Sequence, residues 1–426
     1  MINKNKVAFL SILPASSLTP SVIVTLLSLL IFITGFLSCT NPTTNEWVNH
    51  ESDSSLTIDG IDFSHDTIYN KAILQTGSNW RLQQFINKCK IKKTINIGFI
   101  GGSITAGASA SNDSFRYSTL FCTSVRNFFP NLNKVTEINA GIGSTGSRFG
   151  CSRIVTDLLL FNPDMIIIEF AVNDFGAGDP MYIRSTMEGI VRQCLSFKKD
   201  VPVILLFMAK GNGTNAQYLH EDIGRWYSLP MISYLDAIWP IIKLEPDRYW
   251  NTFFHDDPHP NNNGHKVCAF FLSSYLKKEL AELLDPELTI PEPLFSDLYE
   301  TAGILNTNDT TISMQQSGWE SILKNENQIV IQSNADSNFS QLRFQTNLRE
   351  ITLGIHMQSN DTSCIRVVVD NGKLDTVINN YHSFEYTRFI RLYTSEDVIN
   401  HVVQISHFTK NIFSIDYILY AGIPLK

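Results

Sequence analysis

The chain has 426 residues, 43% of them hydrophobic and 17% charged, with a formal net charge of -8. That length exceeds what one hydrophobic core organises and favours two domains, while the balance of residues is that of a globular protein, neither disordered nor fibrous. The acidic balance and the lack of a basic stripe argue against nucleic acid as a partner.

At the N-terminus Lys4 and Lys6 precede an apolar region, Val22 to Leu37, which ends in Ser38 followed by Cys39. A charged start, an apolar middle and a small residue at the cut describe an export signal over residues 1–38. Phe36-Leu37-Ser38-Cys39 resembles a bacterial lipobox, in which the Cys39 thiol is lipidated, so the expected product is an exported, membrane-anchored lipoprotein. The alternative for the same run is an uncleaved membrane anchor. The remaining cysteines (Cys89, Cys122, Cys151, Cys194, Cys268, Cys364) show no Cys-x-x-Cys spacing. This argues against a zinc ribbon or a redox pair and predicts mostly buried thiols.

Residues 39–58 are polar and without periodicity, as expected of a tether. Helical spacing of Trp80, Leu82, Phe85, Ile86 and Cys89 predicts a helix over Asn79 to Lys90, with the basic run Lys88 to Lys93 at the end where cations complement the macrodipole. Strands then alternate with helices. Strands are expected at Ile95 to Ile100, Lys134 to Asn139, Met165 to Phe170, Val203 to Met208 and Met231 to Tyr234. Helices are expected at Tyr117 to Phe129, Ser152 to Phe161, Ile183 to Phe197, Gln217 to Tyr227 and Gly264 to Leu284. Continuous apolar strands alternating with amphipathic helices predict a doubly wound, three-layer α/β domain with a parallel sheet, over residues 59–290. Beyond Pro286 to Pro293 the runs become short and β-rich: Gln328 to Gln332, Glu350 to Met357, Cys364 to Val369, Phe389 to Tyr393, His401 to Ser406 and Phe413 to Ala421. Residues 291–426 are therefore expected to form an all-β sandwich. Trp319 and the tyrosines of this region are candidates either for stacking on carbohydrate or for the core.

Ligands bind outside the carboxyl ends of the strands in open α/β sheets, so those ends carry the chemistry. The first ends in Gly101-Gly102-Ser103-Ile104-Thr105, where glycines permit a sharp turn and Ser103 can present both a hydroxyl and an N–H. A phosphate cradle is the rival there, but the lysine of a P-loop is missing. The second ends in Asn139-Ala140-Gly141-Ile142-Gly143-Ser144-Thr145-Gly146, a loop able to offer main-chain donors. After the third come Asn173 and Asp174; Asn173 either donates an amide to an oxyanion or makes an Asx-turn. Before the last helix stands His255-Asp256-Asp257-Pro258-His259-Pro260-Asn261. There Asp256 can orient the His259 ring if the backbone curls, leaving the imidazole to act as a base. A metal site built from His255, Asp256, Asp257, His259 and His265 is the alternative; His265 otherwise reads as a capping or packing residue.

In this order the four blocks resemble the SGNH or GDSL hydrolase family over about Ile95 to Leu284. The resemblance implies a flavodoxin-like sheet and a cofactor-free, metal-free serine esterase. By position it implies Ser103 as nucleophile, His259 as base and Asp256 as its orienter. It also implies an oxyanion hole from the Ser103 N–H, the Ser144 N–H and the Asn173 amide. Gly102 stands where the family motif has Asp, as in a Gly-Gly-Ser-Ile-Thr subgroup, and Ser144 stands where it has glycine. The expected substrate is an O-acyl, chiefly O-acetyl, group on a glycan. Two other readings stay open: a non-catalytic, glycan-binding surface protein on an esterase fold, and an O-acetyltransferase.

Overall fold

A computed structural model describes residues 55–422 apart from 283, 306–312, 326–327, 334–339, 360–361 and 410. The expected export signal, Cys39 and most of the tether lie outside the described residues. The described residues all belong to one compact unit, His50–Lys426.

Six strands form the first sheet: β1 (Ile73–Gln75), β2 (Thr94–Gly101), β3 (Lys134–Gly141), β4 (Met165–Glu169), β5 (Val203–Phe207) and β6 (Met231–Ser233). Their order is β1-β6-β5-β4-β2-β3. All neighbours are parallel except β1, which runs antiparallel to β6 at the edge. β4 (Met-Ile-Ile-Ile-Glu) and β5 (Val-Ile-Leu-Leu-Phe) are buried at every residue, as central strands covered on both faces must be. The edge strand β3 is only partly covered. Helices flank both faces: α1 (Trp80–Ile91), α2 (Tyr117–Phe128), α3 (Ser147–Asp157), α4 (Pro180–Phe197), α5 (Gln217–Trp226) and α6 (Asn262–Glu279). Leu82, Phe121 and Phe271 from α1, α2 and α6 share one core. Ile154, Ile190 and Ile223 from α3, α4 and α5 share the other. The expected doubly wound sheet is present, with β3-β2-β4-β5-β6 in flavodoxin-like order.

Register decides where the chemistry can sit. Gly101 pairs with Gly141 on one side and with Glu169 on the other, so the segments that begin at Gly102, Ile142 and Phe170 leave the sheet side by side.

Two antiparallel sheets follow. One has β8 (Ser313–Ser317), β11 (Ser340–Asn347), β16 (Asn400–His407), β13 (Cys364–Val369) and β14 (Leu374–Asn379), in that spatial order. The other orders β9 (Trp319–Asn325), β10 (Gln328–Ser333), β17 (Ser414–Ala421), β12 (Glu350–Met357) and β15 (Tyr386–Thr394), with β7 (Ala302–Ile304) also pairing β17. Alternate residues such as Leu342, Phe344, Leu353, Val367 and Ile405 fill a separate core between them. Trp319 lies in that core at 6% exposure, which corrects its candidacy as a stacking platform. The described cysteines are all free; five are buried and Cys364 is half-buried.

The sandwich rests on α3 and α4. Phe149 stacks on Phe389 at 4.9 Å and meets Tyr417 at 4.7 Å, while Arg148 donates to the Phe389 carbonyl at 3.0 Å. Buried Glu350 accepts from the hydroxyls of Tyr299 (2.6 Å) and Tyr182 (3.3 Å). The connecting segment is strapped to α4, where Glu188 accepts the N–H groups of Leu294, Phe295 and Ser296.

Candidate active site

β2 ends in a tight turn whose first helical residue is Ser103, at the start of the one-turn helix Ser103–Ala106. The turn exists because Gly102 lacks a side chain: a Cβ there would lie 1.9 Å from the Asn173 Oδ1. The aspartate that the family motif carries at this position therefore has no room beside Asn173 as it stands, and the glycine lets the nucleophile turn and the Asn173 segment touch.

His259 reaches Ser103 from the loop ahead of α6. Phe254 and Pro260 form a bridge that closes this loop. Inside it the His259 N–H donates to the Asp256 carbonyl at 2.8 Å and to its carboxylate at 3.2 Å. That curl brings the ring onto the same carboxylate, with Nδ1 to Asp256 Oδ1 at 2.6 Å and Nε2 to Ser103 Oγ at 2.9 Å. A carboxylate only accepts, so Nδ1 carries the proton and Nε2 is left to accept from the Ser103 hydroxyl. The side chains of His259 and Asp256 are 24% and 50% exposed, so the site is an open shelf.

Ser144 lies in the loop after β3 with φ of 60°, the left-handed region in which glycine is the usual residue. The neighbouring Gly143 faces the nucleophile: a Cβ there would be 3.8 Å from the Ser103 Cβ. Asn139 ties the loop to the nucleophile turn, its amide donating to the Thr105 carbonyl at 2.7 Å and its oxygen accepting from the Gly141 N–H at 2.9 Å. Asn173 occupies the half-buried face of the one-turn helix Ala171–Asp174. The structure thus brings Ser103, His259, Asp256 and Asn173 together and sets the Ser144 loop beside them.

The metal alternative does not assemble. Asp257 accepts from the Gly211 N–H at 3.0 Å, and Asp256 is engaged by His259. His265 is fully buried against Tyr117, its Nδ1 accepting from the Tyr117 N–H (3.3 Å) and its Nε2 facing the Ala108 carbonyl (3.2 Å). Burial lowers its pKa to about 4, so it is a neutral packing residue.

Three residues take supporting roles that the sequence does not assign. Arg153 of α3 is completely buried, and its guanidinium donates to the carbonyls of Ala140 (2.7 Å) and Gly101 (3.1 Å) and to Asp157 (3.1 Å). It clamps the ends of β2 and β3, from which the nucleophile turn and the Ser144 loop depart. Asp174 accepts from the Ser147 N–H at 2.9 Å and pairs with buried His220 at 3.0 Å, fixing the Asn173 turn to the start of α3. Glu169 lies fully buried at the end of β4, accepting from the Thr105 hydroxyl at 3.4 Å, and burial pushes its carboxyl up to about 8, with Asp174 adding to the effect. The readable signals were an arginine interrupting the apolar face of a helix, and acids at strand ends.

Comparison with known proteins agrees with this fold. The chain is similar, over 84% of its length and 99% of theirs, to two crystal structures of a two-domain esterase described as active on acetylated mannans, one co-crystallised with mannopentaose. Identity is 24% in both, with TM-scores of 0.76 and 0.75, a likeness of fold that spans both regions. Comparison with curated proteins finds no match. Residues 99–267 match the GDSL-like lipase/acylhydrolase family. The chain therefore carries a domain of the GDSL-like lipase/acylhydrolase (SGNH) family and is an ester-hydrolysing enzyme.

Proposed function

We propose that the protein removes O-acetyl groups from carbohydrate through an acyl-enzyme on Ser103. The observation that carries this reading is the unbroken relay from Asp256 through His259 to Ser103, at 2.6 and 2.9 Å. His259 Nε2 takes the Ser103 proton as Oγ attacks the ester carbonyl, and Asp256 stabilises the resulting imidazolium. The tetrahedral oxyanion is held by the N–H groups of Ser103 and Ser144 and by the Asn173 amide. Collapse releases the sugar hydroxyl, which receives the proton from His259. Water, deprotonated by the same ring, then frees acetate and restores Ser103.

The choice of carbohydrate is supported by the open shelf around Ser103, which suits a polymer side group, and by the likeness in fold to an esterase described as active on acetylated mannans. We also propose that Cys39 carries a lipid anchor that holds the enzyme outside the cytoplasm, on the strength of the apolar run ending at Ser38-Cys39. Mass spectrometry of the mature N-terminal peptide tests it, an unmodified Cys39 being the contrary result. For the reaction itself, Ser103→Ala should lower kcat/KM on acetylated mannan and on a small acetyl ester by about 10⁴-fold or more, with the fold intact. Turnover near that of the unaltered enzyme would sink the reading. Faster cleavage of long-chain lipid esters than of acetylated glycans would move the substrate class.

A further inference from the structure

The edge of the parallel sheet opposite Ser103 is built differently from the rest of the surface. α1 does not run alongside the strands but crosses beneath their amino ends. At its start the Ser78 N–H donates to the Ser228 carbonyl, just ahead of β6. One turn on, Arg81 donates to the Lys199 carbonyl ahead of β5. At its far end Lys88 pairs with Asp200 at 2.7 Å, and Lys92 with Asp164, just ahead of β4, at 2.8 Å. Asn131, ahead of β3, donates to the carbonyls of Cys89, Lys90 and Lys92. α1 buries Leu82, Phe85, Ile86 and Cys89 against the core and turns its other face out.

That outer face joins cations to bare apolar side chains. Lys88, Lys90, Lys92, Lys93 and Lys198 gather around the far end of α1, where Asp200 and Asp164 pair with Lys88 and Lys92; Lys199, paired with Glu287, lies nearer its start beside Arg81. Burial lowers the pKa of Lys198; Asp164 and Asp200 oppose the shift, and Lys88 and Lys92 add to it. Ile91 (79% exposed) stands among these lysines, and Leu160 (73%) and Phe161 (57%) project from the neighbouring turn before β4. Asn96 holds that turn by donating to the carbonyls of Phe161 and Asn162. In a chain of net charge -8 this is a local reversal of sign. Complementing the dipole of α1 explains the lysines at its last turn, but neither Lys198 nor three exposed apolar side chains beside it.

We infer that this basal face docks on an anionic lipid surface, the lysines meeting the headgroups while Ile91, Leu160 and Phe161 enter the interfacial layer. Charge complementarity selects the occupant, since apolar anchors ringed by lysines match the boundary of an anionic bilayer. Docked this way, the carboxyl edge with Ser103 points away from the lipid. The inference rests on the composition of this face and depends neither on Cys39 nor on the acetyl-ester reading.

Residues 50–426, a compact unit by themselves, suit the test. Co-sedimentation with phosphatidylcholine vesicles containing about 30 mol% phosphatidylglycerol should show binding at about 50 mM salt that weakens at about 500 mM, and little binding to pure phosphatidylcholine. Lys90→Glu with Lys93→Glu should lower the partition coefficient by about 10-fold or more, since each lysine near such a surface contributes roughly fivefold. Leu160→Asn with Phe161→Asn should remove the part that survives high salt. Hydrolysis of a soluble ester should be unchanged in both variants, which reports that each has folded. Equal binding to neutral and anionic vesicles, binding to neither, or a charge-reversed variant that binds like the unaltered protein would overturn the inference, the second result leaving a protein partner as the occupant.

Discussion

In the α/β region three buried polar side chains converge on the edge that carries Ser103: Arg153 on the Gly101 and Ala140 carbonyls, Asp174 on Ser147, Glu169 under Thr105. In the sandwich, buried Glu350 turns to Tyr182 and Tyr299, and Asp416 pairs with His356 at 3.2 Å and accepts from the Thr387 hydroxyl at 2.6 Å. The first set holds loops that carry reactive groups in fixed relation. The polar groups of the second either knit the sandwich or join it to α4 and its connecting segment. Burying polarity is costly in both places, so the difference lies in what each network keeps still. The contact between Phe149 and Phe389 links the two, because Phe149 is on the same helix as Arg153, whose guanidinium lies 5.5 Å from the Phe149 ring.

Substitutions can break this division. The largest effect is expected at Asn173, where replacement by Ala should lower kcat by about 10²- to 10³-fold with little change in KM, as for the loss of one oxyanion donor; an unchanged kcat would remove Asn173 from the site. Glu350→Ala should do the reverse, costing about 2 kcal/mol of stability by leaving buried tyrosine hydroxyls unpaired, with kcat unchanged once folded. A fall in kcat there, at temperatures where the variant is folded, would mean that the sandwich tunes the site.

Arg153→Lys is an intermediate case. A lysine can meet one of the two strand-end carbonyls but not both in a fixed fork, so kcat should fall about 10-fold while KM holds, and Arg153→Met should fall further. Equal losses of stability with no change in kcat would reduce Arg153 to a packing residue.

The smallest effect concerns pH. The Glu169 carboxyl is raised from 4.5 to about 8 in the folded protein, so its neutral form is favoured by folding. That contribution is complete below the unfolded value and is lost as pH rises through the folded one. Glu169→Gln should therefore flatten the decline in stability between about pH 5 and pH 8, read from urea midpoints, and a parallel pH profile would contradict the assignment.

Much of the α/β half was legible because strands buried on both faces must be continuous apolar runs, and because the reactive residues sit at their ends. α3 was expected from Ser152 but begins at Ser147. Its first turns lack an apolar stripe, since Gly150 is kept small by the Phe170 ring, 2.5 Å from where a Cβ would be. Two helices, Tyr234–Ile242 and Pro246–Phe253, went unread because their prolines look like breakers; Pro246 stands at the helix start, where its missing N–H costs nothing. In the sandwich β12, β13 and β17 were readable from apolar residues, whereas β8 (Ser-Met-Gln-Gln-Ser) is an edge strand paired on one side and carries no such pattern. The pairing of Asp174 with His220 could not be read from residues 46 apart in the chain.

The central claim is that Ser103 alone is the nucleophile. Treating the enzyme with a fluorophosphonate and mapping the adduct by peptide mass spectrometry tests it directly. One adduct per chain on the peptide containing Ser103, forming in step with loss of ester hydrolysis and absent in His259→Ala, is the predicted result. An adduct on another serine, or full loss of activity with Ser103 unmodified, would contradict it.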